Sequence, residues 1–147
     1  KNVSLAIDVI EKFKTEFPNI VAVGVGSELR PGLDNRGIVD DEELNNLYNQ
    51  SKYVLCFGKW EGLNLPIIEA ICAGSIPIAL SHSEVSFEFC PHLFIAKPEV
   101  DEIYKKIQKL DFYYEDLVSG VVNPLGLIYH QQFSPKSVAA RIIESLN

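Results

Sequence analysis

Two carboxylates eight positions apart, Glu61 and Glu69, bracket the stretch of this chain best suited to chemistry. They lie in Gly58-Lys59-Trp60-Glu61-Gly62-Leu63-Asn64-Leu65-Pro66-Ile67-Ile68-Glu69-Ala70, which joins an apolar run to a helical one. Pro66 suits the first turn of a helix, where a missing N–H costs nothing. The spacing therefore puts Glu69 in the first helical turn and Glu61 in the loop before it. A helix start leaves backbone N–H groups unpaired and carries about half a positive charge, so it attracts anions. A diphosphate is the natural guest, and Gly62 lets the backbone approach it closely. Carboxylates do not hold phosphate; they accept hydrogen bonds from hydroxyls, each charged bond contributing roughly 1.5–3 kcal/mol. A nucleotide sugar carries hydroxyls on both sides of its diphosphate. One strand–loop–helix unit can thus hold sugar, diphosphate and ribose together.

Simpler readings compete with this one. Glu69 alone needs no ligand, since a carboxylate in a first turn complements the helix dipole by about 0.3–1 kcal/mol. What favours a site is the register of Glu61, Gly62, Pro66 and Gly74 together. Gly24 and Gly26 alone are a weak signal, because turns after strands use glycine routinely. His82 lies near the same rim but reads as a solvated loop residue. His92 and His130 read as surface or core-edge residues. Trp60 either shapes the pocket or packs beneath the loop. Tyr113, Tyr114 and Tyr129 read as helix packing.

The elements that must position this loop alternate along the chain. Val3, Ala6, Ile7, Ile10, Phe13 and Phe17 recur at helical spacing, predicting a helix that ends before Pro18. Ile20 to Val23 reads as a short buried strand and Gly26 to Arg36 as a loop. Asp40 or Asp41 caps a helix through Gln50, with Leu44, Leu47 and Tyr48 on one face. Tyr53 to Phe57 is the next strand, and the Pro66 helix runs to Ala73 with Gly74 as its stop. Ile76 to Leu80 is another strand, its proline confined to the first residues. Leu93 to Ile95 makes a shorter strand. Helices follow over 99–110, over 111–131 with breaks near Gly120 and Pro124, and over 134–146. Apolar strands alternating with helices predict a doubly wound, Rossmann-like parallel sheet, α/β in class, with the ligand crevice beyond the strands' carboxyl ends.

The run from Glu61 to Glu69 resembles the E-x7-E motif of retaining GT-B glycosyltransferases, in particular the large family numbered four. Glu-Gly-Leu-Asn-Leu-Pro-Ile-Ile-Glu-Ala, followed by Ala73-Gly74-Ser75-Ile76-Pro77-Ile78, is similar to that family's "EGFGLPxxEAMAxGxPV". Lys1-Asn2 resembles the "KG" or "KN" that opens its first helix. Val23-Gly24-Val25-Gly26, Gly37-Ile38-Val39-Asp40-Asp41-Glu42-Glu43-Leu44 and Phe133-Ser134 resemble its "VGxG", "GxVxxxEL" and "FSW" stretches, in the same order. The resemblance implies the donor-binding half of a GT-B architecture. It implies that Glu61, with the backbone N–H groups of Leu63 and Asn64, contacts the transferred sugar, and that Glu69 binds the ribose hydroxyls. Lys1 would neutralise the diphosphate, and the backbone around Val39, with Asp41 nearby, would meet the base. Gly24, Gly62 and Leu65 complete the implied donor-contacting set. Two departures stand out. Leu63-Asn64 replaces the usual aromatic–glycine pair, and Ser81-His82-Ser83-Glu84-Val85 replaces a glycine-rich turn.

The composition fits that reading. The chain has 147 residues, the size of one domain, with 47% hydrophobic and 22% charged residues, which suits a globular protein over a disordered one. A net charge of -7 argues against nonspecific nucleic-acid binding, which needs clustered Lys and Arg. Lys105-Lys106 is the one such succession, on a mixed-charge helix. Cys56, Cys72 and Cys90 lack zinc-site spacing; Cys56 and Cys72, inside apolar runs, read as small buried hydrophobes, and a reducing compartment fits best. No metal and no cofactor is expected. Starting at Lys1 without a methionine anywhere, and opening on a helix with no strand to feed it, the chain reads as a piece of a longer protein. Its first strand and an acceptor-binding domain would then lie ahead of it.

The function expected is transfer of a sugar from a UDP- or GDP-type donor to an unknown acceptor with retention, in a cytoplasmic setting, with any membrane contact made through the other half. A noncatalytic nucleotide-binding or protein-interaction module of the same fold is the competing reading. A receiver-type domain would want acidic residues after its first strand and a phosphorylatable aspartate after its third. Gly24 and Gly58 stand there instead.

Overall fold

A computed structural model describes residues 2–58, 64–81 and 89–137. Helix α1 spans Val3–Glu16, strand β1 Val23–Val25, strand β2 Asp34–Gly37 and helix α2 Asp41–Gln50. Strand β3 (Tyr53–Cys56), helix α3 (Leu65–Cys72) and strand β4 (Ile76–Leu80) follow. A short 3-10 turn at His92–Phe94 leads into strand β5 (Ile95–Ala96). Helices α4 (Val100–Phe112), α5 (Tyr114–Leu117) and α6 (Asn123–Phe133) close the described chain, with a π turn at Val118–Val122 between the last two.

All strand pairs are parallel, and the class is α/β. The strands form two sheets, one of order β1-β2 and one of order β3-β4-β5. That is compatible with a Rossmann-like layout, although the expected sheet is here divided in two. β4 is the centre of the larger sheet, and all five of its residues are buried. A strand with neighbours on both sides and helices above reads as a continuous apolar run, as Ile-Pro-Ile-Ala-Leu does. Pro77 breaks no rung. Ile76 N–H donates to Lys52 O, so the next amide position faces β5, and the β5 ladder begins only at Ala79.

The core gathers Ile67, Ile71, Ile76, Ile78, Phe94 and Ile103, each nearly inaccessible to solvent. α3 is apolar almost all round because it packs against β3, β4 and α6 at once. Gly126 lets α6 lie close to α3: a Cβ there would stand 2.8 Å from the Ile71 carbonyl oxygen. On α2, Asp40 caps the helix as expected, its carboxylate accepting the Glu43 N–H at 2.8 Å.

Several expectations need correction. The strand expected over 20–23 begins at Val23 and runs to Val25, because pairing with β2 rather than apolarity sets its bounds. Residues 34–36, expected to be loop, form β2 together with Gly37 despite the polar sequence Asp-Asn-Arg-Gly; the ladder with β1 overrides propensity. Leu93 and Phe94 belong to the 3-10 turn, and the strand starts only at Ile95. Tyr113 is half exposed and stacks edge-on against the exposed Phe112 rather than packing inward. The helix expected over 134–146 falls mostly outside the described residues, although the Ser134 hydroxyl accepts the Ser137 N–H as an N-cap would. Among the described residues, no helix is long and apolar enough to cross a membrane.

Candidate functional site

The loop between β3 and α3 leaves the sheet at its carboxyl end. Phe57 and Gly58 are buried as they exit, and Asn64 is buried where the chain re-enters to start α3. Asn64 occupies the N-cap position, yet its side chain makes no capping bond. Its Nδ2 is buried without a hydrogen-bond partner. Leaving such a donor unmade costs about 1–3 kcal/mol, a penalty that a ligand oxygen would relieve. Pro66 supplies no N–H, and Ile67 N–H is taken by Asn64 O at 3.0 Å. Among the described residues, no acidic side chain occupies the first turn of α3 to offset the positive end of the helix.

That last fact corrects the placement of Glu69. The helix starts at Leu65, one residue before the proline, which makes Glu69 its fifth residue and puts it in the second turn. There it is half-buried, and its Oε2 accepts the Tyr48 hydroxyl of α2 at 2.9 Å. Burial, and then the Glu69 charge and hydrogen bond, push the Tyr48 phenol well above its ordinary value, so it stays a donor. Tyr48 is held at its other end too: Ser75 Oγ, fully buried, lies 2.6 Å from both Tyr48 O and Ser51 O. The result is a fixed carboxylate with one oxygen committed to α2. The Cys72 thiol is pushed up by burial first and by Glu69 second, which disfavours its thiolate.

Asn2, just ahead of α1, donates its N–H to Phe57 O at 3.1 Å. The start of α1 therefore lies at the same sheet end as the β3–α3 loop, with no acidic residue in its first turn either. Val39 is half-buried beyond the end of β2, and Asp41 is the exposed first residue of α2. Gly24 lies buried in the middle of β1, where a Cβ would press on Leu33 at 3.0 Å. Leu65 is half exposed. No hydrogen bond or ion pair among the described residues ties Val39, Asp41 or Gly24 to Asn64 or Glu69. Lys1, Lys59, Trp60, Glu61, Gly62, Leu63, His82 and the turn over 83–85 lie outside the described residues.

Sequence reasoning placed Tyr48 only on one face of α2, with Leu44 and Leu47, and missed its bond to Glu69. The signal was half present: the Asp40 cap fixes which α2 residues share Tyr48's face, but the partner is distant in sequence. The unpartnered side chain of Asn64 was also missed, although an asparagine where the motif carries glycine marked the place. A hollow lined by Lys52, Asp111, Tyr113 and Tyr114 lies at the amino end of β3, away from the loop. Asp111 there is already paired with Lys52 and the Tyr53 hydroxyl. Among the described residues, no three His, Cys, Asp or Glu side chains converge as metal ligands.

No family model matches the chain. Over 80 residues, 54% of this chain, it is 31% identical to "Putative glycosyltransferase 41" of Sulfolobus islandicus filamentous virus (isolate Iceland/Hveragerdi). The relationship is glycosyltransferase-like. The matched stretch spans 23% of that glycosyltransferase's own length, under a quarter of it.

Proposed function

We propose that this chain is the donor-binding part of a retaining glycosyltransferase of GT-B architecture, taking a nucleoside-diphosphate sugar. The observation that carries the reading is the start of α3: a helix end with no acidic residue in its first turn, beside a buried Asn64 side-chain amide that has no partner among the described residues. Anions are drawn to such ends, and an oxygen acceptor is what Asn64 lacks. The remote likeness to a glycosyltransferase supports reading that anion as the diphosphate of an activated sugar.

In this reading Glu69, held by Tyr48, offers its remaining oxygen to the ribose hydroxyls. Glu61, with the backbone N–H groups of Leu63 and Asn64, meets the transferred sugar. Lys1 balances charge on the diphosphate, while Val39 and Asp41 border the base. As the sugar departs, negative charge grows on the leaving diphosphate. Donors already aimed there stabilise that charge without reorganising, which is the largest contribution this kind of site makes. No metal is required by these roles. The leaving diphosphate oxygen takes up the acceptor's proton, and the new bond forms on the face the diphosphate leaves. The acceptor would be bound by a domain outside this chain.

The test is kinetic, on the full-length protein with a panel of UDP, GDP and ADP sugars. Glu61→Ala should cut turnover at least a hundredfold with little change in nucleotide affinity. Glu69→Ala should instead weaken nucleotide affinity about tenfold, which corresponds to about 1.4 kcal/mol. If both variants match the parent, the assignment is wrong. Nucleotide binding without transfer to any acceptor would favour a noncatalytic module of the same fold.

A further inference from the structure

We propose that Arg30, in the loop between β1 and β2, selects the base of the donor, and that the base is guanine. This deepens the nucleotide-sugar reading and rests on it. The starting point is a bond that the fold leaves unmade. The Nε–H of Arg30 is shielded from solvent, yet it has no hydrogen-bond partner. Among the described residues no carboxylate pairs with this guanidinium, whereas Arg36 in β2 is paired with Asp34 at 2.8 Å. A shielded cationic donor with nothing to bond is unfavourable, and an acceptor brought by a ligand removes the penalty as the side chain turns out to meet it.

The loop beneath this side chain is firmly built. Arg30 N–H donates to Asn35 Oδ1 at 2.9 Å, and Asn35 Nδ2 donates to Arg30 O at 2.8 Å and to Leu33 O at 3.0 Å. From α1, the Lys14 ammonium donates to Gly32 O. The backbone is thus tied at three residues while the guanidinium it carries is left for something else. Arg30 Nη2 lies 4.0 Å from where a Cβ on Gly26 would stand, so the group rests over the carboxyl end of β1. Gly26 N–H in turn donates to Gly37 O at 2.8 Å, which sets the end of β2 alongside. Val39 follows two residues on and Asp41 opens α2, and these are the residues that border the base in the proposed site. Leu29 and Ile38, next in chain to Arg30 and Gly37, are 82% and 84% exposed. Such bare aliphatic tips give a flat base an apolar surface to lie on.

The chemistry of the fork names the base. Nε–H and one Nη–H of an arginine are parallel, coplanar donors that match two acceptors side by side. Guanine presents that pair as O6 and N7. Adenine puts an amine donor where O6 stands, and uracil offers O4 with no nitrogen acceptor beside it. Guanine also turns N–H donors outward on its adjoining edge, for which the Asp41 carboxylate is an acceptor. A diphosphate would suit the fork as well, but in the proposed site it lies beside Asn64, on the far side of the ribose.

Calorimetric titration of GDP, UDP and ADP into the full-length protein and its Arg30→Gln and Arg30→Lys variants tests this. The parent should bind GDP at least tenfold more tightly than UDP or ADP. Arg30→Gln should weaken GDP tenfold or more and change the other two less than twofold, so that the preference disappears. Arg30→Lys keeps the charge without the fork and should lose the preference too. Both variants should keep the parent's melting transition, because the ties to Asn35 and Lys14 are made by the loop backbone. A parent that prefers UDP or ADP overturns the inference, as does an unchanged GDP preference in either variant. Equal losses for all three nucleotides would put Arg30 at the diphosphate and overturn it as well, leaving the donor-site reading intact. Binding of none of the three by the parent would remove that reading, and this inference with it.

Discussion

Strand β4 runs Ile-Pro-Ile-Ala-Leu with every residue buried, whereas β1 runs Val-Gly-Val with only its glycine buried. Both are short, parallel and apolar, and sequence alone gives them the same description. What separates them is what surrounds them. Among the described residues, β4 has strands on both sides and α3 packed on it, while β1 has one partner strand, and that partner is polar. Stability in this molecule therefore resides in the three-stranded sheet with α3, α4 and α6. The two-stranded sheet is held mainly by its own ladder and by loop contacts such as Asn35, whose side chain bonds the backbone of Arg30 and Leu33.

Truncation should expose that difference most strongly. Ile78→Ala removes a fully buried side chain and should cost about 3 kcal/mol in denaturant unfolding, whereas Val23→Ala in β1 should cost less than about 1 kcal/mol. Equal losses would mean that β1 is buried in solution and that the contrast is false. Next comes the seam between α3 and α6. Gly126→Ala sets a methyl against the Ile71 carbonyl and should cost about 1–3 kcal/mol, while Gly120→Ala, with open space around it, should change stability by less than about 1 kcal/mol.

Smaller effects sharpen the picture at the edge of the site. Tyr48→Phe removes the donor to Glu69 and should cost about 1 kcal/mol. Tyr48 and Tyr53 are both pushed above the ordinary tyrosine value, by burial first and then by Glu69 and Asp111 respectively. A folded pKa above the unfolded one gives stability that is complete below about pH 10 and declines as pH rises past it. The double variant Tyr48→Phe, Tyr53→Phe should flatten that alkaline decline in pH-dependent unfolding. Least of all in energy, the Cys90 thiol, pushed up to about 12 by burial, should resist alkylation at pH 8 in the folded protein and react readily once unfolded.

How much of this was legible in the residues depends on what fixes each element. β4 could be read to the residue because burial on both faces demands an unbroken apolar run. α2 could be read because Asp40 and its acidic first turn announce a helix start. β2 could not: Asp34-Asn35-Arg36-Gly37 has no strand signature, and only the ladder with β1 makes it a strand. The start of β1 was misplaced for the same reason, since apolarity begins at Ile20 but pairing begins later. At the site, Pro66 and Gly74 marked the limits of α3 to within a residue, and Gly74 takes the left-handed φ of +84° that a helix stop uses. Glu69 slipped into the second turn because the helix begins ahead of its proline. Its tie to Tyr48 depends on how α2 lies on α3, a tertiary fact that no local pattern encodes.

The claim on which the functional account turns is that the Asn64 amide and the α3 start receive a diphosphate. Calorimetric titration of UDP and GDP into the full-length protein and its Asn64→Asp variant tests it most directly. The substitution keeps size and helix-capping ability but exchanges a donor for a negative charge. The account predicts that the parent binds one of the two nucleotides and that the variant, folded with an unchanged melting transition, binds it at least a hundredfold more weakly. Equal affinity in parent and variant would contradict it.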